Sequence, residues 1–182
     1  MGVDTGSKIK LTYREYVQFP ADGRRHEIID GDHYVNPAPE TNHQRVSRRM
    51  QLQLMLQIEE TGRGEVFDAP TDLQLSLSDV VQPDLIIILQ RNRTIVTPTK
   101  IKGVPDLVVE ITSPSSEKSD RELKKELYRR SGVPEYWVVD PTEHVVEQYV
   151  LEGGSYALVA TENERVEFRQ LPGVAVDLAR VW

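Results

Sequence analysis

The chain of 182 residues contains no cysteine. That excludes a disulfide framework and any thiolate metal site. It also lacks an apolar run of membrane-spanning length, so no membrane partner is expected. Its opening stretch, MGVDTGSKIKLTYREY, has no apolar core of signal-peptide type. A cytoplasmic protein is the expectation. Basic residues are the minority charge: 22 Lys and Arg face 29 Asp and Glu, for a formal charge of −7. A coat of positive surface is therefore excluded. Nucleic acid in a local groove is not, because a site can hold acids at its centre and bases only around its rim. There are no internal repeats and no low-complexity linker, and the length suits one domain with a real core.

What is present reads as an α/β layer with one mixed sheet. Thr12 caps a short helix over 13–18. The DGD of RRHEIIDGDHYV is a hairpin turn between strands 25–29 and 33–35. Asn42 is the expected cap of a long helix over 43–61. Val46, Met50, Leu54 and Ile58 recur every four residues there, with Leu52, Met55 and Leu56 widening the stripe. An alternating strand is expected through Leu73, Leu75 and Leu77. Buried strands follow at 84–89 and 106–112. Ser119 and Glu122 suggest a capping box for a second helix that faces the core with Leu123, Leu127 and Tyr128. Gly132 is its expected left-handed stop. EYWVVD is a strand, and a hairpin turns at Gly153 and Gly154.

Glu110 stands out because it interrupts an apolar strand. Burying a lone carboxylate is costly, so the site must supply a partner, a metal or a shifted pKa. Strand parity puts Glu110 on the face of Asp106, Val108 and Thr112. Asp106 is about 13 Å away along the strand, too far to share an ion with it. Asp84, heading the neighbouring strand, can lie much closer, at a strand spacing of about 4.8 Å. Two such carboxylates suit Mg²⁺, which takes hard oxygen ligands and keeps several waters. The alternatives are a buried ion pair for Glu110 and a local turn role for Asp84. Lys124 shares a helix face with Asp120 and Tyr128 and can reach toward Glu110. Lys125, about 100° round the helix, is the competitor.

The segments HEIIDG, NPAPETNHQ, VVQPDLIIIL and PDLVVEITSPSS, together with SDRELKKELYRRSGVPEYWVVDP, closely resemble the Uma-two type of endonuclease. The resemblance spans nearly the whole chain, and GVPEYWVVDP is its most specific block. It implies a restriction-endonuclease-like (PD-(D/E)XK) fold, a mixed β-sheet flanked by helices. On that reading 1–182 is one domain: an N-terminal helix and hairpin (1–41), the core (42–140) and a C-terminal hairpin (141–182). The implied chemistry is Mg²⁺-dependent hydrolysis of phosphodiester bonds in DNA, with Mn²⁺ as a substitute ion. Carried over residue by residue, Asp84 and Glu110 are the metal-binding acids. The lysine expected two residues after Glu110 is replaced by Thr112, and Lys124 on the following helix takes its place. Glu27 is a candidate third acid, and His43 a candidate contact to substrate or metal. A homodimer or higher homo-oligomer is expected, since two sites match two strands. The rival is a non-catalytic nuclease fold that binds nucleic acid or regulates.

Overall fold

The computed structural model describes residues 9–112 and 119–182. Helix α1 (Tyr13–Tyr16) is closed by a capping box between Thr12 and Glu15. Strands β1 (Arg25–Ile29) and β2 (Asp32–Asn36) pair as an antiparallel hairpin. Asp30 and Gly31 turn it with φ of 49° and 72°, the left-handed pair that a two-residue hairpin turn needs.

Helix α2 (Thr41–Ile58) starts two residues before the expected position. Glu40, not Asn42, holds the cap position, and the Asn42 side chain accepts from Arg45 instead. The helix ends at Ile58 rather than Thr61, whose hydroxyl donates back to the Gln57 carbonyl. Val46, Met50, Leu54 and Ile58 are buried as their spacing requires. Leu52 and Leu56 do not widen the stripe: they are 56% and 57% exposed. Each lies about 200° round the helix from the preceding core residue.

Six strands form the central sheet: β3 (Gly64–Asp68), β6 (Leu85–Leu89), β8 (Leu107–Ile111), β9 (Glu135–Asp140), β10 (Val145–Glu152) and β11 (Ser155–Glu162). Their order is β11-β10-β9-β8-β6-β3, parallel only between β8 and β9. A second sheet joins the β1–β2 hairpin to the two-residue strands β5 (Val80–Val81), β4 (Leu73–Gln74) and β7 (Ile101–Lys102). It too is mixed, with β4 and β7 parallel. Strands β12 (Arg165–Glu167) and β13 (Ala175–Asp177) form a third, two-stranded sheet. The fold class is the expected one, but with two mixed sheets in place of one. The alternation expected as far as Leu77 stops at β4, because Leu75 N–H turns to the Asp79 carbonyl. Leu77 is left exposed.

The central strands are apolar on both faces because both faces are covered. Leu85, Ile87 and Leu89 of β6, with Leu107, Val109 and Ile111 of β8, pack with α2 and the β12–β13 pair. Ile86, Ile88 and Val108 pack on the opposite face with helix α3 (Lys125–Ser131) and the second sheet. Glu110 shares parity with Val108, so it points toward α3. A wider, π-type turn over Ser119–Lys124 leads into α3. The Ser119 side chain, on which the expected capping box with Glu122 depends, lies outside what the structure describes. Gly132 ends α3 with φ of 82° and an N–H bonded to the Arg129 and Tyr128 carbonyls, the expected left-handed stop.

Candidate active site

Leu85 pairs with Val109 across β6 and β8. The next positions outward, Asp84 and Glu110, therefore face each other at the sheet end, where opposed residues in an antiparallel pair lie about 5 Å apart. Both are almost fully buried, as are Glu27 and Lys124.

Lys124 joins two of the acids. Its ammonium lies 3.0 Å from Glu110 Oε1 and 3.1 Å from Glu27 Oε1. Tyr128, one turn further along, donates its hydroxyl to the same Glu110 oxygen at 2.6 Å. Burial first, and then the charges of Glu110 and Glu27, push the Tyr128 hydroxyl well above its ordinary pKa. It stays protonated and remains a donor. Glu27 comes from β1 in the second sheet. Its other oxygen accepts from Asn36 at 2.7 Å, and Oε1 also accepts the Gln82 N–H at 2.7 Å. Lys125 points elsewhere, with its ammonium over the Tyr149 ring, 3.6 Å from the centroid.

Asp84 gathers a different set. Oδ1 accepts from Arg25 at 2.9 Å, while Oδ2 accepts the Ile111 N–H at 2.9 Å and meets His43 Nε2 at 3.0 Å. Burial pushes the Asp84 carboxyl up, but His43, Arg25 and the Ile111 N–H together hold it below the usual carboxylate range. It is an anion at neutral pH. Burial acts to lower the Arg25 pKa, but the charge and hydrogen bond of Asp84, with the charges of Glu110 and Glu27, together raise it above its ordinary value. With hydrogen on Nε2, His43 donates to Asp84. Its Nδ1 is then a buried acceptor with no donor among the described residues.

The structure thus brings Asp84, Glu110, Lys124, Glu27 and His43 to one sheet end. Sequence reasoning missed two members. Arg25 stands two residues before Glu27 and so shares its strand face, a parity signal that was available. Tyr128 was placed in the core, but its hydroxyl contact was not anticipated. Asp106 lies apart. Its carboxylate accepts the Leu89 N–H, Arg91 and Asn92 at the other end of β8.

The donor chemistry fits a hard divalent ion. Asp84 and Glu110, at opposed positions of the strand pair, are the residues that could offer it oxygen ligands. A carboxylate oxygen has two acceptor sites, and Asp84 Oδ1 receives one hydrogen bond among the described residues. No group of three or more His, Asp and Glu side chains among the described residues is arranged to enclose an ion. A two-carboxylate site suits Mg²⁺, which retains several waters.

A family model described as "Putative restriction endonuclease" (Uma2) matches residues 13–179. The chain belongs to that family. Its fold is shared with a crystal structure of a "putative nuclease belonging to DUF820" from Anabaena variabilis. The TM-score is 0.75 at 16% identity, covering 94% of this chain and 97% of that one. The type IIG restriction endonuclease BpuSI aligns at a TM-score of 0.40 and 12% identity, over 69% of this chain and 14% of that one. No curated relative matches the chain. No helix among the described residues is long and apolar enough to cross a membrane.

Proposed function

We propose that this Uma2 protein is a metal-dependent endonuclease that hydrolyses phosphodiester bonds in DNA. The observation that supports it most is the Lys124 ammonium bridging Glu110 and Glu27, beside an ionised Asp84 opposed to Glu110. Asp84 and Glu110 would hold Mg²⁺, or Mn²⁺ in its place. Such an ion polarises a phosphoryl oxygen and lowers the pKa of a bound water. Tyr128 and Lys124 fix the Glu110 carboxylate. Arg25 and His43 keep Asp84 charged. Among the described residues Lys124 is the lysine that meets these acids, and its ammonium stabilises negative charge developing on the phosphate or orients the attacking water. Glu27 positions Lys124. A cytoplasmic homodimer completes the proposal.

A second reading, a nuclease fold that binds nucleic acid or regulates without cutting, draws on Thr112. Its hydroxyl donates to the Val139 carbonyl and brings no charge to the position two residues after Glu110. Single-turnover assays on labelled DNA with Mg²⁺ and with Mn²⁺ separate the two. The parent is expected to cut, and Glu110→Gln and Lys124→Ala to lower cleavage about a hundredfold or more. A parent that cuts no nucleic acid offered would overturn the catalytic reading in favour of the second.

A further inference from the structure

A cavity of about 900 Å³ opens beside the carboxylates, between the loop before β1, the start of α2 and the loops before β4 and β7. Arg25 links the two. Both of its hydrogen bonds, to Asp84 and at 3.4 Å to the Gln82 carbonyl, run through Nη1. A guanidinium has five N–H donors. Those on Nε and Nη2 have no partner among the described residues, and Arg25 lines the cavity. Arg24 and Lys100 add positive charge to its walls, the Lys100 ammonium resting 3.2 Å from the Tyr13 ring centroid, against the one lining carboxylate of Asp72, which is occupied by Tyr16 and Gln82. Tyr16 and Phe67 contribute aromatic surface. Gln82 contributes an amide whose orientation is set, since its nitrogen donates to Asp72 at 2.9 Å and to the Tyr16 hydroxyl at 3.1 Å. Its Oε1 is shielded from solvent and has no donor among the described residues.

We infer that this cavity is a nucleotide subsite: it takes one nucleotide of a single strand, next to the proposed cleavage centre. The inference rests on the nuclease reading and adds strandedness to it. The volume falls in the class that encloses a small molecule, about 300–1,000 Å³, and a stacked duplex cannot enter it. Arg25 binds the phosphate on the cavity side, with Arg24 and Lys100 on the adjoining backbone. The base lies among the aromatic walls. Gln82, whose amide is held by Asp72 and Tyr16, forms a fixed polar edge of the wall against which a splayed-out base can lie.

The test is binding without metal, by fluorescence anisotropy in EDTA. The probes are a fluorescein-labelled mixed-sequence single strand and the blunt duplex of the same length. The single strand is expected to bind about tenfold tighter, within the worth of one base stacked on an aromatic ring. Lys100→Gln and Arg24→Gln should each weaken single-strand binding and leave the thermal midpoint near the parent's. Arg25→Gln should weaken it most. If that variant fails to fold, the two wall variants carry the test. Equal or tighter duplex binding, or single-strand binding untouched by both wall substitutions, overturns the inference. So does a failure of both probes to bind. Cleavage with Mg²⁺ is scored separately, so a protein that cuts but prefers duplex loses this subsite and keeps its proposed activity.

Discussion

Strand β8 carries a buried carboxylate near each end, Asp106 just before it and Glu110 within it, on the same face by parity. Their surroundings differ in kind. Asp106 accepts a backbone N–H, an amide and the guanidinium of Arg91, whose side chain is 55% exposed. It ties the start of β8 to the end of β6 and the turn after it, and among the described residues its side-chain hydrogen bonds go no further. Glu110 is held by Tyr128 and Lys124, both buried, and Lys124 passes the contact on to Glu27 in another sheet. Across from Glu110, Asp84 repeats the pattern with Arg25 and His43. A lone structural acid needs enough donors to offset its burial. Three buried acids brought together from β1, β6 and β8 are mutually repulsive, so the fold must hold cations among them. That extra cost supports the proposal of a site here rather than a staple.

Breaking the Glu110 end should have the largest effect. Lys124→Ala removes the ammonium between two buried carboxylates. Besides lost cleavage, it should lower unfolding stability by about 3–5 kcal/mol, the usual cost of leaving a buried charge unpaired. An unchanged urea midpoint would show that Lys124 does not bear the two acids.

Asp84→Asn should come next, at about 1.5–3 kcal/mol at neutral pH for the loss of charge-assisted hydrogen bonds. Its pH dependence has a definite sign. The folded carboxyl titrates below its unfolded value of about 3.9. The stabilisation is therefore complete above about pH 4 and is lost as pH falls through the folded value. The gap between parent and Asp84→Asn should close in acid. A gap that widens there would contradict the assigned ionisation.

Asp106→Asn sharpens the contrast from the other side. The amide oxygen still accepts the Leu89 N–H, but the amide nitrogen then meets the Arg91 and Asn92 donors, so about 1–2 kcal/mol is expected, with cleavage unchanged. Lost cleavage would make the two ends of β8 equivalent. The smallest effect belongs to Lys125→Ala, which gives up a cation–π contact worth about 0.5–1 kcal/mol and should leave cleavage near the parent's. If Lys125→Ala is the inactive variant, the assignment of Lys124 fails.

The sequence shows the Glu110 end well because its signals are local. Parity places Glu110 opposite the apolar face, the PD before LIIIL marks Asp84, and four-residue spacing aligns Lys124 with Tyr128. The DG turn and Gly132 are equally legible, since each is required by a left-handed backbone angle. The partners of Asp84 are harder to see. Arg25 reaches it from a different sheet, and β1 joins β5 through a single pair, Ile28 with Val80. No periodicity encodes a contact so distant in the chain. Strands of two residues such as β4, β5 and β7 are too short to show alternation, so the second mixed sheet was invisible. The π-type turn was hidden for another reason: residues 119–124 carry capping and spacing cues that suit an ordinary α-helix.

Calorimetric titration of Mn²⁺ into the parent, Glu110→Gln and Asp106→Asn tests the contrast most directly. Binding is expected in the parent and in Asp106→Asn, and should be lost in Glu110→Gln. Equal binding in all three proteins, or loss in Asp106→Asn alone, would contradict the assignment of Glu110 as an ion-holding residue.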